Sequence, residues 1–324
     1  MAPFENSVDI FLQYLVSHAI RTRDIDDLRR KLLIIQAEGV EKFQVISDFD
    51  KTLTPQWLTA PCSSTGALVH CSSSYAVVEK SCLLSSEYRQ KTKELADYFL
   101  PLEHDHRLSE EERVKVNQDW YTQAHACMMK EDVTFTKLGE IIKHSWTNME
   151  VHLRKNTPEF FCALEKNRIP ITVLSAGLRD VIENILVLEQ ILPSVSAFED
   201  DETDAMIMVV GNRLRFDSEG RHVGISDPPI MAHNKRNAVS RFLEKSEIRA
   251  CRPNALLMGD LVSDVDFVHS IPKLKEFVTI GFLADRPALH EEALAEFLKH
   301  FDIVITGGAA SMDAATHLIR SLFN

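Results

Sequence analysis

Apolar residues fall into two patterns along this chain. Short unbroken runs occur at Phe43–Ser47, Ile171–Ser175, Ala255–Met258, Phe277–Phe282 and Ile303–Ile305. Runs of that length, bounded by polar residues, suit strands buried on both faces. Between them, at about 178–191, 235–246, 288–300 and 311–322, apolar positions recur at helical spacing. Strand–helix alternation of this kind predicts an α/β fold, a parallel sheet with helices on both faces.

The rest of the pattern adds to that frame. Val8, Phe11, Leu12, Leu15 and Ala19 predict an amphipathic helix packed on the body. Asp24 is placed to cap a helix through Gln36, closed by Gly39. After the run at 43–47 the strand pattern stops until about Pro170. Residues 55–80 are rich in Ser, Cys, Ala and Gly and read as a loop with little structure. From Ser85 to about Lys155 the pattern is helical, broken at Pro101 and at Asp105–Ser109, where Ser109-x-x-Glu112 has the form of a capping box. Met206–Val210 and Arg213–Phe216, joined by Gly211-Asn212, read as a hairpin. The expected organisation is one Rossmann-like core, residues 1–54 and 156–324, with an α-helical cap, residues 55–155, inserted after the first core strand.

Candidate chemistry sits at the ends of the predicted strands. Val45-Ile46-Ser47 leads into Asp48-Phe49-Asp50. In a strand, residues i and i+2 project to the same side. Asp48 and Asp50 can therefore share one site beyond the C-terminal end, where open α/β sheets bind ligands. Carboxylates forced together repel and need a cation or a shared proton. One could act as nucleophile and the other as acid and base, with Mg²⁺ between them. Taken alone, the pair could equally be two solvated aspartates in a loop. Val173-Leu174-Ser175-Ala176-Gly177 ends in a hydroxyl and small residues. Leu256-Leu257-Met258 leads into Gly259-Asp260 and then Asp264. Lys235, in His233-Asn234-Lys235-Arg236, opens a predicted helix.

Asp-x-Asp-x-Thr, then Ser, then Lys, then Gly-Asp-x-x-x-Asp is an order that resembles the haloacid dehalogenase (HAD) superfamily of phosphatases. Together with Leu102-Glu103-His104-Asp105 and Asp119-Trp120-Tyr121-Thr122-Gln123-Ala124-His125, the segments resemble the cytosolic 5′-nucleotidase III family. These are pyrimidine 5′-nucleotidases, including 7-methylguanosine-phosphate-specific members. The similarity covers roughly residues 24–324 and is strongest at the four catalytic motifs.

The resemblance implies a HAD-like Rossmannoid core whose cap closes over the site. It implies Mg²⁺-dependent hydrolysis of a nucleoside 5′-monophosphate, CMP- or UMP-like or 7-methyl-GMP. Asp48 would attack phosphorus and form an aspartyl-phosphate; Asp50 would protonate the leaving oxygen and then take a proton from water. Asp48, the Asp50 carbonyl and Asp260 would hold Mg²⁺, with Asp264 a ligand or a support behind one; all-oxygen ligation suits that ion. Asp266 reads instead as a surface or capping residue. Ser175, with the amides of Ala176 and Gly177, would bind the phosphoryl group; otherwise Ser175 caps the helix from about Leu178. Lys235 would neutralise phosphoryl charge, and Thr52 would orient the loop. Glu103 would accept hydrogen bonds from the base, and Trp120 or Tyr75 could stack on it or belong to the cap's core. Two departures from the family pattern are Ala124, where many members have Ser, and an altered segment at 60–80.

Composition removes several function classes. The chain has 324 residues, 45% hydrophobic and 26% charged, as soluble globular proteins do. A net charge of −12 repels nucleic acid and anionic membranes, yet leaves room for a small phosphate in a cation-lined pocket. Six cysteines without metal or redox spacing suggest reduced thiols and a cytoplasmic setting. No signal-peptide layout, no membrane-length apolar run and no P-loop motif occur. The oligomeric state stays open. Two other readings share the motifs: a capped HAD phosphatase for phosphoserine, thiamine phosphate or a sugar phosphate, and a catalytically silent HAD-fold interaction protein.

Overall fold

The computed structural model describes residues 6–324 except 60–66, 104, 106, 196–203, 232–233, 272 and 285–289. Helix α1 (Ser7–Ser17) buries Val8, Phe11, Leu12 and Leu15, the stripe its spacing predicts. A short strand β1 (Arg21–Thr22) leads to α2 (Ile25–Glu38). Asp24 caps α2 by accepting from the amides of Asp26 and Asp27, and Gly39 ends it at φ 87°. Strand β2 (Phe43–Ser47) follows and is buried at every position.

The next stretch departs from expectation. Residues 55–80 are not a plain loop. They carry β3 (Trp57–Thr59) paired antiparallel with β4 (Leu68–His70), and a short helix α3 (Ser74–Glu79) capped by Ser73. Period-two alternation is too brief in three-residue strands to stand out in a Ser-rich segment. Helix α4 (Ser86–Glu103) then runs through Pro101 to Glu103 instead of stopping at the proline. Helix α5 (Glu110–Met128) opens on a complete capping box, Ser109 with Glu112. Helix α6 (Phe135–Thr147) buries Leu138, Ile141 and Ile142 in the main core.

The chain returns through α7 (Thr157–Lys166), β5 (Ile171–Leu178), α8 (Arg179–Leu188) and β6 (Ile207–Asn212). Here the expected hairpin is corrected. Strand β6 pairs in parallel with β5 at the sheet edge, and it is β7 (Leu214–Phe216) that pairs antiparallel with β8 (His222–Ile225). Then come α9 (Lys235–Lys245), α10 (Glu247–Ala250), β9 (Asn254–Gly259), a 3-10 helix (Val262–Ser270), β10 (Glu276–Leu283), α11 (His290–His300), β11 (Ile303–Thr306) and α12 (Asp313–Phe323).

One seven-stranded sheet runs β1-β11-β10-β9-β2-β5-β6, parallel except for β1 at one edge. Alternate residues of β2 enter different cores. Val45 packs into a cluster with α1, α2, α7, α8 and α12, while Ile46 packs with Leu174, Leu257 and Leu243 of α9. Both faces are thus covered, as a parallel sheet requires. From β2 the chain steps outward through β5 to β6, then restarts on β2's other side with β9. That reversal is a topological switch point, and the crevice beyond the ends of β2, β5 and β9 is where such sheets bind ligands.

At the far side of the sheet the buried Asp302 carboxylate ties β11 to its neighbours. It accepts from Lys31 Nζ at 2.9 and 3.0 Å, from Arg23 at 2.7 Å and from the Thr279 amide at 3.1 Å. Lys31→Met leaves a buried carboxylate short of its closest buried cation. We expect a loss of about 3 kcal/mol in urea unfolding; a loss below about 1 kcal/mol would show that Arg23 holds Asp302 unaided.

Candidate active site

Three of the expected residues converge. Asp48, Asp260 and Asp264 each present a carboxylate oxygen, and these oxygens lie within 4.8 Å of one another. Asp48 leaves β2 with its amide bonded to the Met258 carbonyl at 2.9 Å, which ties the end of β2 to β9. Asp260 follows β9. Asp264, in the first turn of the 3-10 helix, folds back so that its Oδ2 accepts from the amides of Asp260 (3.1 Å) and Leu261 (3.0 Å). Gly259 permits this return, because a Cβ there would lie 2.4 Å from the Asp264 Cβ. Asp266 is exposed on the same 3-10 helix.

Lys235 joins the cluster from the first turn of α9. Its Nζ donates to Asp48 Oδ1 at 2.5 Å and lies 3.7 Å from Asp264 Oδ1. Burial alone would depress its ammonium, but Asp48 and then Asp264 push it well above the usual lysine range. The carboxylates respond oppositely. Burial, then repulsion by Asp48 and Asp264, raises Asp260 well above the ordinary carboxylate range. Burial raises Asp264 to about 6 against the pull of Lys235. A site whose carboxylates resist ionisation holds more negative charge than one lysine offsets. An all-carboxylate donor set with that excess fits a hard divalent cation.

Asp50 is held differently. Its Oδ1 accepts from the Ser74 amide at 3.0 Å and its Oδ2 from the Ser74 hydroxyl at 2.9 Å. Burial and the nearby Asp48 raise it to about 6, opposed by those two bonds. Ser175 is buried within β5, just past Leu174 where its regular pairing with β6 stops, and its Oγ accepts from the Gly177 amide at 3.0 Å. It does not cap the following helix, whose N-cap is Leu178 without a side-chain bond. The Ala176 carbonyl accepts from Asn212 at 2.7 Å, and Asn212 also bonds Ile230 both ways.

The loop after β2 corrects one expectation. Thr52 is buried, but its hydroxyl finds no hydrogen-bond partner among the described residues. Thr54 does the orienting, accepting from the Lys51 amide at 2.9 Å. Arg154 holds the loop from outside: it donates to the carbonyls of Lys51 (2.6 Å), Thr52 (2.7 Å) and Ala310 (2.8 Å), over the Phe282 ring. Burial lowers its guanidinium to about 10.

The inserted segment supplies the remaining candidates. Glu103 is the half-buried last residue of α4, outside the carboxylate cluster. Trp120 stacks on Phe99 at 5.9 Å, so it packs α5 against α4. The Tyr75 ring lies 5.9 Å from His125, which meets Tyr121 edge-on at 4.1 Å. Neither His125 ring nitrogen, nor Asn117 Oδ1 on the same helix, has a partner among the described residues although all are buried. Burial, then His222, lowers His125 to about 4, so its imidazole is neutral near pH 7. Sequence reading missed Ser74, Arg154, Asn212 and Asn117. Only Ser74 left a signal: Ser72-Ser73-Ser74 ahead of Tyr75-Ala76-Val77-Val78 is a helix start.

Known proteins resemble this chain along most of its length. Residues 63–323 match the family model described as pyrimidine 5′-nucleotidase (UMPH-1), a match that begins after Asp48 and Asp50. The chain is 31% identical over 294 residues to 7-methylguanosine phosphate-specific 5′-nucleotidase A of Xenopus laevis, covering 91% of this chain and 92% of that one. It is 26% identical to the Homo sapiens protein named 7-methylguanosine phosphate-specific 5′-nucleotidase, covering 82% and 80%. The crystal structure of cytosolic 5′-nucleotidase IIIB bound to cytidine superposes with a TM-score of 0.77 at 25% identity, over 96% of each chain.

Arg154→Met would strip three buried carbonyls of their donor. We expect about 3 kcal/mol of destabilisation, read by urea unfolding. A change below about 1 kcal/mol would mean that Thr54 alone fixes the loop.

Proposed function

We propose that this chain, which belongs to the pyrimidine 5′-nucleotidase family, hydrolyses nucleoside 5′-monophosphates through an aspartyl-phosphate on Asp48. The observation that carries the reading is the Lys235–Asp48 contact at 2.5 Å inside a three-aspartate cluster at the sheet's switch point. A nucleophilic carboxylate needs a fixed oxygen and a cation beside the incoming anion. Lys235 supplies both, since it orients Asp48 and offsets phosphoryl charge. Ser175 and the amides beside it receive the phosphoryl oxygens. Asp50 gives its proton to the 5′ oxygen as the P–O bond breaks and recovers one from water in the second step.

Asp48, Asp260 and the Asp50 carbonyl would hold Mg²⁺, with Asp264 as a further ligand or as the group that orients the Asp260 loop. When bound, the ion screens the phosphoryl oxygens from the carboxylates. We read the protein as cytosolic, the word carried in the name of a Caenorhabditis elegans protein to which it is 25% identical, "Putative cytosolic 5′-nucleotidase 3".

The base end is assigned to the insert. Ser74 touches Asp50, Tyr75 follows it, and His125 lies against Tyr75, so α5 borders the reaction centre. The unpartnered His125 nitrogens and Asn117 oxygen offer a neutral polar wall. Glu103 adds a carboxylate, which attracts an amino group or a cationic ring and repels the phosphate end. N7-methylation gives guanine such a cationic ring, and the relatives named for 7-methylguanosine phosphate support that base beside cytidine. We therefore expect turnover of 7-methyl-GMP at least as fast as of CMP, in a screen that adds UMP, AMP, phosphoserine and thiamine phosphate.

Asp48→Asn keeps the shape and removes the nucleophile, so nearly all turnover should vanish while the unfolding curve stays cooperative. EDTA should do the same reversibly. Full activity in either would overturn the aspartyl-phosphate reading. Glu103→Gln should lower kcat/KM for the best nucleotide about ten- to a hundredfold, from the ~1.5–3 kcal/mol of a charge-assisted hydrogen bond. p-Nitrophenyl phosphate, which lacks a base, should be nearly unaffected. Equal slowing of both substrates would make Glu103 structural.

A further inference from the structure

We infer that Ser74 is the residue that positions Asp50 for proton transfer. The inference rests on the reading of Asp50 as general acid and base, and names what sets its geometry.

Both Asp50 carboxylate oxygens are held by this one residue, Oδ1 by the Ser74 amide at 3.0 Å and Oδ2 by its hydroxyl at 2.9 Å. Two contacts on two oxygens fix the rotation of the carboxylate, which a single bond would not. Ser74 is fully buried and so does not exchange these bonds with water. Its amide lies in the first turn of α3, where backbone donors have no partner inside the helix; Ser73 separately satisfies Ala76.

The other side of Ser74 is equally constrained. A Cβ on Gly177 would fall 1.8 Å from the Ser74 Oγ and 3.0 Å from its Cβ. The segment Ser175–Gly177 of β5 therefore runs flush against the serine, and Gly177 is the residue that allows it. Ser74 is wedged between the acid and the segment proposed to carry the phosphoryl group. A shift of α3 would move Asp50 relative to that segment.

The Ser74 hydroxyl and amide each donate to one lone pair of a carboxylate oxygen. A carboxylate has further lone pairs, and the transferred proton sits on one that Ser74 does not occupy. Both bonds can therefore hold the carboxyl group whether or not Asp50 carries the proton. In the first step the Asp50 proton moves to the ester oxygen as the P–O bond breaks and the bond from Asp48 forms. In the second, water loses a proton to Asp50 as it attacks phosphorus and the Asp48–P bond breaks. Ser74 neither gains nor loses a proton overall.

The test is a rapid-quench double-mutant cycle on the intact chain with Mg²⁺. Phosphorylation rates are measured for CMP and p-nitrophenyl phosphate in wild type, Ser74→Ala, Asp50→Asn and the double variant. Ser74→Ala should slow CMP by about ten- to a hundredfold, the scale of a misplaced catalytic group, and p-nitrophenyl phosphate much less, because that leaving group hardly needs a proton. In the Asp50→Asn background, Ser74→Ala should add less than about twofold. Ser74→Cys, nearly isosteric and a weaker donor, should fold and show the same bias to a smaller degree, and serves alone if the alanine variant does not fold. If Asp50→Asn shows the leaving-group bias and the Ser74 variants slow both substrates equally, Ser74 is merely structural and the inference fails. Equal losses for both substrates in Asp50→Asn would overturn the acid reading and this inference with it.

Discussion

Four carboxylates, those of Asp48, Asp50, Asp260 and Asp264, crowd together around the Lys235 ammonium at the ends of neighbouring strands. Their mutual repulsion is the constraint on which the rest of the site depends. In a low-dielectric crevice such charges cannot all be ionised without compensation. Burial and their neighbours hold Asp50, Asp260 and Asp264 above the ordinary carboxylate range. The same excess of negative charge suits the proposed divalent cation, through which, with Lys235, a phosphate would be held. A surface with net charge −12 would otherwise turn such an anion away.

Holding repelling groups in register requires rigid backbone around them, and the structure provides it with buried polar anchors. Arg154 pins the loop after β2 through three carbonyls. Asn212 ties Ala176, in the last half of β5, to Ile230, just ahead of α9, so the elements bearing Ser175 and Lys235 share one anchor. Asp264 closes the turn after β9 with two amide bonds, and Gly259 leaves it room. Each anchor satisfies buried backbone groups that would otherwise need water. Asp264 and Ser175 are themselves among these anchors, since each side chain also accepts from backbone amides of its own segment.

Legibility in the sequence followed the strength of the local signal. β2, β5, β9, β10 and β11 were readable because buried parallel strands give unbroken apolar runs, and Asp24 and Ser109 because caps have residue-specific chemistry. The β7–β8 pairing was missed because Gly211-Asn212 looks like a hairpin turn, whereas Asn212 completes β6 and turns its side chain to Ala176 and Ile230. Pro101 was read as a helix end, but one proline does not outweigh the burial of Leu95 and Phe99 on the same helix. The motif residues that meet at the crevice announce themselves by type at strand ends. Ser74, Arg154 and Asn212 act through tertiary hydrogen bonds, which leave no spacing in the chain to read.

The architecture also explains why the two ends of a substrate would be recognised by different parts of the chain. The phosphate end would meet residues on or just beyond buried strands, where a one-residue slip of register moves every side chain to the other face. Those positions are locked by the core. The insert is less constrained: α4 and α5 pack largely on each other and show much exposed surface. Side chains there can vary without disturbing the sheet, and with them the group that is recognised. Asn117 and His125 keep buried polar atoms without partners among the described residues, a state that is costly unless a ligand or water completes it. A core protected from change and an insert holding unsatisfied polar groups would together allow the proposed phosphoryl-transfer centre to be matched to different bases. Ser74 lies where they meet, contributed by the insert but bonded to Asp50 of the core. Recognition in the insert can therefore reach the proton-transfer geometry through one short helix.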